Sequence, residues 1–196
     1  MAERIGILGG TFDPVHVGHL VAAVEARHDL ALDRVLLVVA NEPWQKTGER
    51  VLTPAEDRYA VVAAAVEGVP GLEASRIEID RGGPSYTVDT IDEVVGRHGD
   101  AEIFLVVGAD VAGQLASWIR VDELPGLVTL VVVHRGGVEP GPDPVGWRVR
   151  RLRIPALEIS SSDLRRRLAE GRPVDFLVPE PAIRCITRRG LYAVGR

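Results

Sequence analysis

Two histidines three residues apart, His16 and His19, follow a pair of glycines in the string Leu8-Gly9-Gly10-Thr11-Phe12-Asp13-Pro14-Val15-His16-Val17-Gly18-His19-Leu20. Gly9 and Gly10 close an apolar run, and residues without a Cβ let the backbone come close to a ligand. A helix starting just beyond would turn its free N–H groups and the positive end of its dipole on the same point, which makes an anion site. His16 and His19, at that helix start, can face one pocket. The string is not the dinucleotide fingerprint, because no third glycine follows at the required spacing and Pro14 lengthens the loop. It is not a Walker A loop, because no Gly-Lys-Ser/Thr is present. A metal pair is the poorer reading of the histidines: no third ligand follows in an obvious pattern and the spacing is not His-Glu-x-x-His.

A second constellation lies far downstream, Ile159-Ser160-Ser161-Ser162-Asp163-Leu164-Arg165. Hydroxyls at a helix N-terminus with an arginine one turn in can clamp a phosphate. Taken alone, the same string is only a capping sequence. It sits in a basic stretch, where Arg148, Arg150, Arg151, Arg153, Arg165, Arg166 and Arg167 face only Glu158 and Asp163. That stretch is either a solvated stripe or a local wall for phosphates, and charge alone leaves both open.

The elements that must position these groups alternate in type along the chain. Apolar runs predict strands at Arg4–Leu8, Arg34–Val39, Leu72–Ile79, Ile103–Val107, Leu127–Val133 and Arg148–Ile154. Helical patterns predict helices over Gly18–Leu30, from Thr53 or Pro54 to about Val66, and over Thr87–Arg97, Val111–Trp118, Ser161–Ala169 and Glu180–Arg188. Thr53-Pro54-Ala55-Glu56 offers a Thr N-cap, a Pro at the first helical position and a Glu at the third, a capping box. Strands alternating with helices imply a parallel sheet covered on both faces, and strands that are apolar throughout suit that burial. The expected fold is α/β: a Rossmann-like doubly wound parallel sheet forming a single domain over 1–196, with a C-terminal helical segment. Oligomeric state is not legible, and a homo-oligomer stays open.

Composition bounds the function classes. With 46% hydrophobic and 26% charged residues in 196, the chain has a globular balance, not a disordered one. A net charge of −5 argues against a general nucleic-acid coat. The longest apolar runs fall well short of the ~18 residues a membrane span needs, and no signal-peptide core opens the sequence. The single Cys185 fits a reducing compartment, so a cytoplasmic protein is expected.

The first string resembles the signature of the nucleotidyltransferase superfamily with the His-x-Gly-His motif, which joins a nucleotide to a phosphate-bearing substrate and releases pyrophosphate. The second is similar to the superfamily's Ile-Ser-Ser-Thr-x-Ile-Arg, with Ser162 for Thr and Leu164 for Ile. Three further segments resemble bacterial nicotinate-nucleotide adenylyltransferases. Asn41-Glu42-Pro43-Trp44-Gln45-Lys46 stands where they often carry Pro-Pro-His-Lys, with Trp44-Gln45 for Pro-His; Lys46 is the only lysine in the chain. Pro84-Ser85-Tyr86-Thr87-Val88-Asp89-Thr90 is similar to their Ser-Tyr-Thr-x-Asp-Thr, and Gly108-Ala109-Asp110 with Trp118 to their Gly-x-Asp…Trp. Phosphopantetheine adenylyltransferases usually have Thr in place of His16, and cytidylyltransferases usually end in a different Ser-Thr motif.

The resemblance implies that β-strands one and four are neighbours, with ATP lying across the loop after the first. Gly9, Gly10, Thr11, Phe12 and Gly18 would border ATP, together with Gly108, Arg135, Ser161 and Ser162. His16, His19, Lys46 and Arg165 would neutralise charge on the reacting phosphates, leaving Arg166 and Arg167 to solvent. Nicotinate mononucleotide would take the other half, bordered by Asn41, Ser85 and Tyr86, its ring stacked on Trp118, its ribose near Asp110, and its carboxylate held by N–H groups around Thr87. Mg²⁺ would travel on the ATP phosphates, with no metal site of the protein's own. Two alternatives stand beside this: a non-catalytic nucleotide sensor, and a relative acting on another phosphate-bearing acceptor.

Overall fold

In the computed structural model, residues 2–43, 51–136 and 141–193 are described, so Lys46 lies outside the described residues. Six parallel strands form one sheet: β1 (Arg4–Gly10), β2 (Arg34–Val39), β3 (Leu72–Ser75), β4 (Glu102–Gly108), β5 (Val128–Arg135) and β6 (Arg148–Ile154). Their order across the sheet is β3-β2-β1-β4-β5-β6. The chain therefore winds outward one way from β1 and the other way from β4, leaving a crevice where the direction reverses. The helices are α1 (Val17–Asp29), α2 (Ala55–Val66), α3 (Ile77–Arg81), α4 (Thr87–His98), α5 (Ala109–Ala112), α6 (Ser161–Ala169) and α7 (Glu180–Arg189).

Two apolar layers sandwich the sheet, as the doubly wound pattern requires. On one face Val35, Leu37, Phe104, Val131 and Leu152 pack with Ala23, Val61, Leu164 and Ile186. On the other, Ile5, Ile7, Val38, Leu105 and Leu130 pack with Ile91, Val94 and Leu124. The four central strands are buried on both sides, which is why they read as continuous apolar runs. At the edge, β6 alternates: Leu152 and Ile154 are buried while Arg148, Arg150, Arg151 and Arg153 are exposed. This part of the basic stretch is the charged rim of an edge strand, which discourages further strands from adding there.

Three sequence expectations are corrected. Helix α2 begins at Ala55 with extended Pro54 as its N-cap, and no side chain caps it. The Thr53 carbonyl is instead held by Arg58 Nε at 2.8 Å. The strand expected over Leu72–Ile79 stops at Ser75, where pairing with Val38 of β2 ends. The chain then turns at Arg76 into α3, so Ile77 and Ile79 are helical. The helix expected over Val111–Trp118 is one turn of α5 followed by a 3-10 turn at Leu115–Ser117. Gly113 separates the two, and glycine is a poor helix interior residue.

Candidate active site

At the C-terminal ends of β1 and β4 a cleft of about 850 Å³ opens in the crevice. A larger open groove of about 1530 Å³ lies at the opposite ends of the strands, bordered by Arg4, Asp33, Glu102, Arg148 and Arg150. It contains neither motif, whereas the cleft contains both. Its walls include Gly9 to Phe12, Gly18, both histidines, Ser161, Ser162 and Arg165, and across from them Gly108, Asp110, Trp118 and Arg135.

The loop after β1 is rigidly shaped. A Cβ on Gly10 would stand 2.9 Å from the Phe12 ring, whereas one on Gly9 would meet nothing within 4 Å, so Gly9 presents bare backbone to the open cleft. Phe12 is buried, takes a left-handed backbone (φ 48), and meets the His19 ring edge-on at 5.0 Å. The Asp13–Pro14 peptide is cis. Asp13 is itself buried and accepts a hydrogen bond from the Tyr192 hydroxyl at 2.8 Å. Burial, then the Asp13 charge, push the Tyr192 phenol well above its ordinary pKa, so it stays a donor.

Helix α6 is bolted to this loop. Ser161 Oγ donates to the Pro14 carbonyl at 2.9 Å and Arg165 Nη1 to the Asp13 carbonyl at 2.7 Å. These bonds join segments 147 and 152 residues apart. The helix is capped by Ser160, whose Oγ accepts from the Asp163 N–H at 3.1 Å. Ser162 Oγ accepts from Arg165 Nη2 at 3.0 Å, which turns the guanidinium across the helix start. Arg166 and Arg167 bond Asp163 instead and do not border the cleft. Of the seven arginines in the basic stretch, only Arg165 lines it.

The histidine rings stack, centroids 3.7 Å apart and planes inclined by 26°. His16 is the N-cap of α1, and its backbone N–H donates to His19 Nδ1 at 3.2 Å. Accepting at Nδ1 leaves the proton of a neutral His19 on Nε2, a donor. His16 is only 6% exposed, and burial, with the Arg135 charge second, lowers its pKa from 6.5 to about 4. It is neutral at pH 7. Its Nδ1 is buried and has no hydrogen-bond partner among the described residues, an unmet polar atom beside the cleft. Gly18 admits the ring, since a Cβ there would stand 3.1 Å from it.

The other half of the cleft is built by α4 and the turn after β4. No side chain caps α4, so its first turn, beginning at Thr87, presents N–H groups at the wall that Ser85, Tyr86 and Thr87 form. Asn41 does not line the cleft; its backbone N–H donates to Ser85 Oγ at 2.8 Å and its amide to the Gly83 carbonyl at 3.0 Å. It fixes the wall from behind. Asp110 tucks beside Gly108, where a Cβ would come within 2.5 Å of its Oδ1. Trp118 is half-buried at the rim. Sequence reasoning missed Asp13 and Tyr192 beneath the loop, and Arg58, a buried cation in an otherwise apolar stripe with Val61, Val62 and Ala65. It also missed Glu78 and Thr90, bonded at 2.6 Å in the wall. A charge at a stripe position was the one available signal, for Arg58.

A crossover-wound sheet with a glycine-histidine loop and a hydroxyl-arginine helix start at one crevice defines a nucleotidyl-transferring type of site. Residues 7–167 match the cytidylyltransferase-like family model. A Corynebacterium kroppenstedtii protein named "Probable nicotinate-nucleotide adenylyltransferase" is 44% identical over 194 residues, covering 96% of this chain and 90% of its own. One of the same name from Acidothermus cellulolyticus is 43% identical, with 96% and 94% covered. The chain belongs to the cytidylyltransferase-like family, in its nicotinate-nucleotide adenylyltransferase branch. Its fold matches the Plasmodium falciparum nicotinic acid mononucleotide adenylyltransferase complexed with NaAD, with a TM-score of 0.76, 18% identity and 97% of each chain covered. No helix among the described residues is long and apolar enough to cross a membrane.

Proposed function

We propose that this chain transfers the AMP of ATP to nicotinate mononucleotide, giving nicotinate adenine dinucleotide and pyrophosphate. The observation that carries this reading is the Arg165–Asp13 tie, which closes the start of α6 over the loop bearing both histidines. Relatives at 43–44% identity carry the matching name, and the two cleft halves suit the two substrates.

An oxygen of the mononucleotide phosphate attacks the α-phosphorus of ATP, the new P–O bond forms as the bond to the β-phosphate oxygen breaks, and pyrophosphate leaves with the electron pair. The attacking oxygen is already anionic, so no protein nucleophile or covalent intermediate is required. What the site supplies is alignment and charge neutralisation. Bare backbone at Gly9 lets the triphosphate lie against the loop, and Gly10 makes room for the Phe12 ring that shapes it. His19 donates from Nε2 and His16 donates as a neutral ring, both toward the α-phosphate. Arg165, with Ser161 and Ser162 at the helix start, meets the outer phosphates, joined by Lys46 from outside the described residues, while Arg135 borders the adenine. Nicotinate stacks on Trp118, Asp110 takes its ribose, and the α4 start receives its carboxylate.

Among the described residues no three His, Cys, Asp or Glu side chains group as metal ligands. The phosphate half offers donors, which suit an anion carrying its own cation, and the divalent ion enters as MgATP. Both substrate halves belong to one domain. The test is pyrophosphate release from ATP by purified protein, offered nicotinate mononucleotide, nicotinamide mononucleotide or phosphopantetheine. Release dependent on the first is expected; release with phosphopantetheine alone would reassign the acceptor, and none with any would favour a sensor.

A further inference from the structure

Arg58 is 1% exposed, the largest fully buried side chain of the described residues, and it projects from the first turn of α2 toward the back of the cleft. Its guanidinium donates to three backbone carbonyls on three segments: Nη1 to Thr11 at 2.8 Å, Nη2 to Asn41 at 3.1 Å and Nε to Thr53 at 2.8 Å. Thr11 belongs to the loop that would carry ATP. Asn41 follows β2 and holds Ser85, at the foot of the helix start assigned to the mononucleotide carboxylate. The Glu42 carbonyl reinforces that wall by accepting from the Ser85 N–H at 3.0 Å.

The geometry points to Arg58 as a positioning residue that sets the distance between the two substrate-binding halves. A planar fork with donors on three sides can hold three carbonyls at fixed separations, which the point charge of a lysine ammonium cannot. One end of the fork fixes the ATP loop and another fixes the mononucleotide wall. The span from the α-phosphorus to the attacking phosphate oxygen is therefore set by a side chain that touches neither substrate. Displacing reactants by about 1 Å can cost about 10²-fold in rate without weakening either one's binding. This inference rests on the adenylyl-transfer reading for the identity of the second substrate.

Arg58→Lys keeps the charge and most of the stem but loses the fork. Per folded molecule, its kcat should fall about 10- to 100-fold, with both KM values within about threefold of wild type. Thermal shifts with ATP alone and mononucleotide alone should match wild type. A residue needed only for folding would lower the folded fraction or the Tm and leave kcat per folded molecule unchanged, and that result overturns the proposal. Should Arg58→Lys not fold, Ser85→Ala severs the same chain at its far end, where Asn41 is held. Positioning predicts a fall in kcat with the KM for ATP unchanged, while a rise confined to the mononucleotide KM overturns it. A wild-type enzyme silent with nicotinate mononucleotide but active on another acceptor would sink the assigned substrate alone, because the Arg58→Lys ratio is then read on that acceptor.

Discussion

His16 should make the stability of this protein depend on pH in a way that one substitution removes. In the folded chain its pKa is held at about 4, first by burial and then by the Arg135 charge, against 6.5 for the exposed residue. Between those values the unfolded chain binds a proton that the folded chain does not, so stability rises with pH there. The contribution is complete above pH 6.5 and is lost as pH falls toward 4. The full difference corresponds to about 3 kcal/mol, and about 2 kcal/mol of it should disappear between pH 7.5 and pH 5. That is a large share of a typical folding free energy of about 5–15 kcal/mol. His16→Asn keeps a good N-cap for α1 but cannot titrate. Urea unfolding of both proteins at the two pH values isolates the His16 term, because the other titrating groups cancel in the difference. Since burial outranks Arg135 among the causes, added salt should leave most of the effect in place. If wild type and His16→Asn lost stability equally within about 0.5 kcal/mol, the neutral buried imidazole at the site would be wrong.

His19→Ala should lower kcat by about 10²–10³ while changing ATP affinity much less, because the proposed role of its Nε2 proton is to meet charge that develops during transfer; steady-state kinetics check this, and a variant keeping over half of wild-type turnover contradicts it. Arg165→Ala should weaken ATP far more than AMP in calorimetric titration, since the proposed role of the guanidinium is to meet the outer phosphates. Equal losses would reduce Arg165 to its tie with the Asp13 carbonyl. Arg167→Ala is the control and should be nearly silent, because Arg167 is bonded to Asp163 off the cleft.

Most of the sheet was legible because its central strands are buried on both faces and so read as apolar runs. The bounds of β6 and α6 coincide with the sequence reading for different reasons: one ends where its buried Ile154 ends, the other starts at a serine cap. The neighbouring of β1 and β4, which makes the cleft, came from family resemblance, since strand order depends on contacts far apart in sequence. Local rules failed where tertiary partners outbid them. Thr53 gives its carbonyl to Arg58 instead of its hydroxyl to a helix, and β3 stops where pairing with β2 ends. The glycines and histidines of the site stood out as motifs. Tyr192 did not, because nothing in its surroundings advertises a bond to Asp13, 179 residues away. The bonds by which Asn41 holds Ser85 and Gly83 were not legible either, because their partners lie more than 40 residues away.

The central claim is that a carboxylate-bearing mononucleotide is recognised at the uncapped start of α4 and adenylylated there. Nicotinate and nicotinamide mononucleotides differ only by carboxylate against amide, so stacking on Trp118 serves both equally. The helix dipole favours the carboxylate by about 0.3–1 kcal/mol. An amide NH₂ turned toward backbone N–H groups leaves a buried donor unpaired, at about 1–3 kcal/mol. Together these give about 1–4 kcal/mol, or roughly 10- to 1,000-fold. The direct measurement is competition between the two mononucleotides in one reaction with ATP, with both dinucleotide products quantified. A kcat/KM preference for nicotinate of about 10²-fold is expected, and comparable values for the two would remove the carboxylate site from α4.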